Sequence, residues 1–314
     1  VNANQYETVK DKNNKKVTIE SRELFSECTI KLENDMNLSA HEWVPIGKDL
    51  YHSFSASLDG SETESGGNIC KIQGMKIGSK EAPRYYENAG LIGCFEYNEI
   101  TASTVSNVGI DNSEIYVSYP EICYVGGIVG CVKYGIKMIN CYNTGTISVG
   151  NGCYGVGGLV GCAWITNEGR LENCYNTGTI RSGGESNPYA GGIVGFVSAD
   201  VNKVRLENCY NTGTISNPGA AYHTHFAGGI AGGVSFHEGA EGRLENCYNT
   251  GTIIGEQYTG GIVGDTYSAV GSEVGLKNCY NTGTIISKEY NTGGIVGAFP
   301  YNGGGKLENC YYLG

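Results

Sequence analysis

Six cysteines recur in one context: Cys141, Cys174, Cys209, Cys247, Cys279 and Cys310 each sit inside Asn-Cys-Tyr. Thiols in such register raise zinc or redox chemistry first. A zinc site needs ligands two to four residues apart on one turn, and no Cys-x-x-Cys occurs; these cysteines are a whole repeat apart. A second row, Cys94, Cys131 and Cys162, gives way to Phe196, Gly233, Asp265 and Ala298. Replacement by such dissimilar side chains argues against an essential metal or disulfide there. Cys123 and Cys153 each precede a Gly-Gly block, and as neighbours on successive repeats they could join in a disulfide.

The other reactive candidates are few. Tyr222-His223-Thr224-His225-Phe226 places two histidines on one face if extended, with His237 a segment later. That spacing could hold a metal, but a solvent-exposed loop with incidental histidines is the reading adopted, and no cofactor is expected. Hydrolysis of a polysaccharide would need paired carboxylates. Asp200 and Asp265 are the aspartates of the clear repeats and fall in different segments, while Glu168, Glu185, Glu238 and Glu241 lie in variable loops. Gly228-Gly229-Ile230-Ala231-Gly232-Gly233 lacks the Gly-Lys-Ser/Thr ending of a phosphate loop, so its glycines are assigned to close packing.

What positions these residues is a repeat. Asn-Cys-Tyr-Asn-Thr-Gly-Thr-Ile begins at Asn140, Asn173, Asn208, Asn246 and Asn278, and a last incomplete copy begins at Asn309, so the period runs from 31 to 38 residues. Gly-Gly-Ile/Leu-Val/Ala-Gly begins at Gly126, Gly157, Gly191, Gly228, Gly260 and Gly293, with Ala89-Gly90-Leu91-Ile92-Gly93 as a forerunner. Periods of this length belong to stacked arrays. The copies offer short extended pieces between Gly, Asn and Pro, and no helical periodicity over ten or more residues. Such strands bury nothing alone and must stack on their equivalents about 4.8 Å away. The expectation is an all-β chain forming a parallel β-helix (β-solenoid), with about one three-stranded coil per repeat of 31–38 residues. A propeller would need four strands per blade. Residues 1–23 read as a polar lead-in, 24–125 as degenerate N-terminal coils or a cap, and 126–314 as the regular array.

The order Ile30-Lys31-Leu32, Asp35, Leu38, Trp43-Val44-Pro45-Ile46-Gly47, Phe54 to Gly60 and Ala89-Gly90-Leu91-Ile92-Gly93, followed by the repeats, resembles GLUG-repeat regions. The likeness covers roughly residues 24–314, departing from the glycine-richer family pattern at Ser55-Ala56-Ser57-Leu58-Asp59-Gly60. Such regions occur in bacterial surface and adhesin-like proteins and in non-catalytic parts of immunoglobulin A protease-like proteins. The resemblance implies a β-rich extracellular module without catalytic residues of its own.

Stacking turns each repeat position into a row. Met138, Leu171, Leu206, Leu244, Leu276 and Leu307 should point inward; Arg170, Arg205, Arg243 and Lys306 should lie beside Glu172, Glu207, Glu245 and Glu308 on the outer face. Asn173, Asn208, Asn246 and Asn278 suit a side-chain amide ladder at a left-handed bend. Such a bend resets the strand alternation, turning Cys174, Cys209, Cys247 and Cys279 inward and the tyrosines outward, and Gly178, Gly213, Gly251 and Gly283 serve the next bend.

With 21 basic against 32 acidic residues and a net charge of -11, the chain lacks the basic surface that nucleic acid requires. No apolar run is long enough to span a bilayer as a helix, so no membrane insertion is expected in this segment. The function expected is a non-enzymatic extracellular module of a bacterial cell-surface or secreted protein, an adhesion or scaffold stalk. The longer insertions of the middle repeats put Tyr189, Tyr222, His223, His225 and Phe226 forward as a surface for a host or bacterial glycan or protein. A polysaccharide-active β-helix enzyme and an accessory domain of a larger surface protease are the alternatives.

Overall fold

A computed structural model describes residues 6–10, 16–20, 28–47, 49, 51–61, 69–97, 103–183, 188–200, 202–218, 224–237, 239–299 and 304–314. The chain is a parallel β-helix of about eight turns, with no helix among the described residues. One middle coil shows the plan. An entry strand, Tyr189–Gly191, leads to a Gly-Gly strand, Val194–Ala199, and an Arg-Leu-Glu strand, Lys203–Glu207. A Tyr-Asn strand, Tyr210–Asn211, and a Thr-Ile strand, Thr214–Ser216, complete the turn. The three segments visible in the repeat therefore resolve into five strands. In the preceding coil the second and third merge as Val160–Glu172.

Equivalent strands pair in parallel register: the Tyr-Asn strands form a 9-stranded sheet, the Thr-Ile and entry strands 7-stranded sheets, and the other two share a 14-stranded sheet. Apart from these, Tyr6–Lys10 and Lys16–Glu20, within the polar N-terminal stretch, make an antiparallel two-stranded ribbon. Among the described residues no helix is long and apolar enough to cross a membrane.

The corner after each Arg-Leu-Glu strand shows how the sequence fixes the coil. Asn140, Asn173, Asn208, Asn246, Asn278 and Asn309 all have φ between 51° and 54°. That left-handed step costs a branched or bulky residue more than asparagine. It interrupts the alternation: Leu171 points in and Glu172 out, yet Cys174 again points in, followed by Tyr175 out, Asn176 in and Thr177 out. Cys141, Cys174, Cys209, Cys247 and Cys279 are accordingly buried, Cys310 in the last coil partly so. The inward leucine row is buried from Met138 to Leu276, whereas Leu307 is 45% exposed. On the outer face Arg170 pairs with Glu172 at 2.7 Å and with Glu207 of the next coil at 3.5 Å, and Lys277, standing where other coils have Glu, pairs with Glu308 at 3.2 Å.

Two amide ladders run along the solenoid in opposite senses. In the outer one each Nδ2 donates toward the N-terminus: Asn309 to Asn278, on through Asn246, Asn208, Asn173 and Asn140 to Asn107, at 3.0–3.2 Å. Asn107 then donates to the carboxylate of Asp59 at 3.0 Å, so the ladder ends on a charge-assisted acceptor. The inner ladder joins Asn143, Asn176, Asn211, Asn249 and Asn281, all fully buried, each donating to the next at 2.7–2.8 Å. In the next coil Tyr312 stands opposite Asn281, and the Asn281 Nδ2 is left without a partner.

The inner ladder, together with the glycine carbonyls of neighbouring coils, accounts for both glycine motifs. A Cβ on Gly158, Gly192 or Gly229 would come within 2.7–2.9 Å of Asn176, Asn211 or Asn249, and one on Gly178, Gly213 or Gly251 within 2.8–2.9 Å of the preceding ladder amide. Gly178, Gly213, Gly251 and Gly283 do not have positive φ; a Cβ there would meet the carbonyl of the equivalent glycine one coil back before it met the amide, so close approach of neighbouring coils, not left-handed backbone, requires glycine at this second corner.

Candidate binding cleft

Opposite the asparagine corner, the entry strands and Gly-Gly strands build a second kind of surface. Tyr124, Tyr154, Tyr189, Phe226, Tyr258 and Tyr290 form a column of rings whose successive centroids lie 4.1–6.4 Å apart. Facing it is the row in which cysteines give way to other residues: Cys94, Cys131, Cys162, Phe196, Gly233, Asp265 and Ala298 are in parallel register.

The substitutions along that row shape the surface. Over the first coils the thiols are buried, and burial raises the pKa of Cys162 far above its ordinary value. Phe196 then enters the column, 4.6 Å from Tyr189 and 5.5 Å from Tyr154. Gly233 makes the next step possible, because a Cβ there would meet the Tyr189 ring. Beyond it, Asp265 followed by Ala298 leaves space unfilled, and a cleft of about 530 Å³ opens. Asp265 and Ala298 line it with Phe226 and Tyr258 of the ring column; Tyr267 and Phe299 of the Gly-Gly strand row, Thr224, Thr266 and Asn291 complete it.

Asp265 is the only charged residue among the described residues lining this cleft. Burial raises its pKa to about 6, against a single backbone hydrogen bond from Thr266 that favours the ionised form. Its charge also pushes the neighbouring Tyr189 phenol up, though burial of that ring is the larger cause. The cleft thus joins aromatic walls, half-exposed at Tyr267 and Phe299, to one partly desolvated carboxylate.

The five residues singled out in the middle repeats separate here. Phe226 lines the cleft, and Tyr189 stacks on it with centroids 4.1 Å apart and planes 6° off parallel. Tyr222 and His223 lie outside the described residues. His225 is fully buried instead of exposed in a loop. Its Nδ1 lies 3.0 Å from Asn217 Oδ1, while the Asn217 amide donates to the carbonyls of Pro188 and Phe226. With that oxygen left to accept, His225 Nδ1 carries the hydrogen and helps pin the chain entering the Phe226 strand. His237 is engaged elsewhere, with its Nε2 2.8 Å from the Ser235 hydroxyl and its ring against Tyr267. Among the described residues no group of three His, Cys, Asp or Glu is arranged to hold a metal. Asp265 stands out in the sequence as a carboxylate and as a break in the cysteine row, but nothing there joins it to Tyr258 and Tyr267.

The tyrosines of the repeat form a different feature. Tyr142, Tyr175, Tyr210, Tyr248, Tyr280 and Tyr311 stack with centroids 4.9–5.3 Å apart and planes within 8° of parallel. Within the stack each ring face is covered by its neighbour, so short of Tyr311, which is 50% exposed at the end, mostly ring edges remain for a ligand. The Cys123–Cys153 disulfide links adjacent coils at the start of two entry strands.

Comparison with known proteins adds the family of the repeat. The GLUG motif matches residues 152–181, the span of one coil from the turn before the entry strand to the end of the Thr-Ile strand. Residues 152–181 are a GLUG motif. No curated protein sequence matches the chain. Among solved structures, an IgA1 protease superposes with a TM-score of 0.54 at 18% identity, covering 92% of this chain and 20% of that one. A Bacteroides ovatus protein provisionally assigned as an immunoglobulin A1 protease superposes with a TM-score of 0.48 at 22% identity, covering 90% of this chain and 68% of that one. The chain thus spans about a fifth of the length of the former and about two thirds of the latter. Similarity at the level of the former carries the fold and nothing finer.

Proposed function

We propose that this GLUG-containing β-helix is a non-enzymatic extracellular module of a bacterial cell-surface protein, an adhesion or scaffold stalk that presents a binding cleft on its flank. The supporting observation is the cleft around Asp265: aromatic walls and a single carboxylate. General acid–base chemistry on a glycosidic bond uses two carboxyl groups, roughly 5–10 Å apart, and among the described residues Asp265 is the cleft's only acid. Aromatic faces beside one polar group serve recognition instead. Rigidity comes from the stacked rows, because every coil contributes to the same ladders and sheets.

The accessory-domain reading is compatible with this one. An IgA1 protease shares this fold over one fifth of its length, and in a protein so built any proteolysis would reside in a different part. The test is to incubate the purified chain with immunoglobulin A and with a panel of polysaccharides, then screen the same panel and host matrix proteins for binding. The expected result is intact substrates and at least one ligand whose binding falls tenfold or more in Tyr267→Ala. Cleavage abolished by Asp265→Asn would establish an enzyme and overturn the proposal. A screen without any ligand would reduce the chain to a spacer.

A further inference from the structure

The cleft has walls of aromatic rings, one carboxylate, and no basic side chain among its described lining residues. We propose that it receives a primary alkylammonium group, of the kind carried by a lysine side chain, with Asp265 as its counter-ion and Tyr258 and Tyr267 as its walls. This rests on the reading of the cleft as a binding site and names the class of ligand.

Three features converge on that class. The first is the carboxylate's situation: it is partly desolvated beside Phe226 and Ala298, receives the Thr266 N–H, and has no cation among the described residues that line the cleft. A buried charge of this kind is costly unless paired, so the interaction with most to gain is one that brings a positive charge and N–H donors together. The second is the walls. Aromatic faces attract a cation, by about 0.5–1 kcal/mol at exposed sites and about 2 or more when desolvated. Tyr267, with His237 against its ring, and Phe299 are 50% and 42% exposed, while the buried Phe226 backs the site. Asp265 and Tyr267 also share one face of the strand Val263–Ser268, standing two residues apart. The third is the field of the whole chain, whose net charge of -11 favours the approach of a basic partner.

Two competing ligands fit less well. A neutral sugar could stack on Tyr267, but it would leave the ionised carboxylate without a counter-charge. A quaternary ammonium would use the walls but brings no N–H for the carboxylate oxygens. The volume, about 530 Å³, lies within the ~300–1,000 Å³ of small-ligand sites and opens to solvent, so a side chain can enter from a folded partner.

The site should respond to pH. A carboxyl with pKa of about 6 is mainly ionised at pH 7.5 and about nine-tenths protonated at pH 5. Binding of a cation should therefore weaken by about tenfold between those values.

The decisive measurement is a titration of the whole chain with Nα-acetyl-lysine N-methylamide, followed through tyrosine ring resonances. Its neutral aliphatic counterpart Nα-acetyl-norleucine N-methylamide, which has the four side-chain carbons without the ammonium, is titrated in parallel with choline and methyl β-galactoside at pH 7.5 and pH 5. The expected result is saturable shifts of the Tyr258 and Tyr267 rings with the lysine derivative at pH 7.5, roughly tenfold weaker at pH 5 and absent in Asp265→Asn. The norleucine derivative should give none. Equal binding of the lysine and norleucine derivatives, or lysine binding unchanged in Asp265→Asn, would overturn the assignment. Binding of methyl β-galactoside or choline in preference to the lysine derivative would also overturn it, yet leave the cleft as a binding site. If no probe binds a protein whose spectrum shows it folded, the ammonium site falls and the reading of the cleft falls with it.

Discussion

Asn208 and Asn211 lie three residues apart in one repeat and look equivalent in the sequence, yet truncating them should have very different effects. Asn211 is fully buried. Its amide donates to Asn249 Oδ1 at 2.7 Å and to the Gly213 carbonyl at 3.2 Å, and its oxygen accepts from Asn176 Nδ2 at 2.8 Å and from the Gly213 N–H at 3.3 Å. In Asn211→Ala, the Asn176 Nδ2 keeps only its bond to the Gly178 carbonyl and the Asn249 Oδ1 only the N–H of Gly251, while the Gly213 N–H loses this acceptor inside the corner. With about 1–3 kcal/mol for each buried group left unsatisfied, partial losses at the two amides and the space vacated, the sum is about 3–5 kcal/mol. Asn208 is exposed, and its ladder bonds of 3.2 Å face water. Its φ of 54° suits glycine, so Asn208→Gly should cost no more than about 1 kcal/mol, whereas Asn208→Ala adds about 1–2 kcal/mol for the left-handed backbone. Because coils can open separately, urea unfolding should be accompanied by hydrogen exchange at the Tyr210 and Tyr248 amides, which bond to the adjacent coils. The reasoning fails if Asn208→Gly costs as much as Asn211→Ala, or if Asn211→Ala stays within about 1 kcal/mol of the parent.

Three further outcomes are expected. A native-state thiol reagent should modify exposed Cys28 first and Cys310 more slowly, reaching Cys141, Cys174, Cys209, Cys247 and Cys279 only with unfolding; early labelling of those five would contradict the inward corner. Non-reducing peptide mapping should recover Cys123 linked to Cys153, and replacing both by serine should lower stability by up to about 3–4 kcal/mol from loop-closure entropy over their separation of 30 residues. Asp265→Asn should raise the urea midpoint at pH 7.5 and have little effect at pH 4. The folded-state pKa of Asp265, about 6, exceeds its ordinary 3.8, so its ionisation withdraws stability as pH rises through that window, by at most about 3 kcal/mol. A gain that is larger at pH 4 than at pH 7.5 would refute that sign.

Repetition made the fold legible. The 31–38-residue period, the short alternating segments and the glycine corners leave a stacked parallel solenoid as the arrangement that pairs every strand. The inward turn of the cysteines followed from one argument about a bend at asparagine, and the left-handed φ at Asn173 and its equivalents is that bend. The inner ladder was equally available: with Cys174 inward, Asn176 two residues on must also point inward. The two asparagines of each motif look alike along the chain, and only packing separates the exposed one from the buried one. The cleft was less legible, since it depends on the order of Phe196, Gly233, Asp265 and Ala298 along a row, and distances between coils are invisible along the chain. The burial of His225 depends likewise on Asn217, a residue in an insertion with no repeat counterpart to announce it.

A solenoid imposes a selection rule on each row. Side chains about 4.8 Å apart must tolerate copies of themselves. Tyrosines can, by stacking; asparagines can, by donating to one another; thiols can, by remaining neutral. A row of carboxylates inside such a wall cannot, because like charges at that spacing repel and neither could be hydrated. The outer glutamates exist as a row only because Arg170, Arg205 and Lys277 stand beside them. Asp265 has no such neighbour: its partners in register are Gly233 and Ala298, and no described cation lines its cleft. It can enter the wall once, where small residues on both sides make room, and it lowers stability at neutral pH by being there. A buried carboxylate without a counter-ion among the described residues is accounted for by what comes to it from outside. If Asp265→Asn both stabilises the protein at neutral pH and abolishes ligand binding, the two effects have one cause, an anion held ready for a partner's charge.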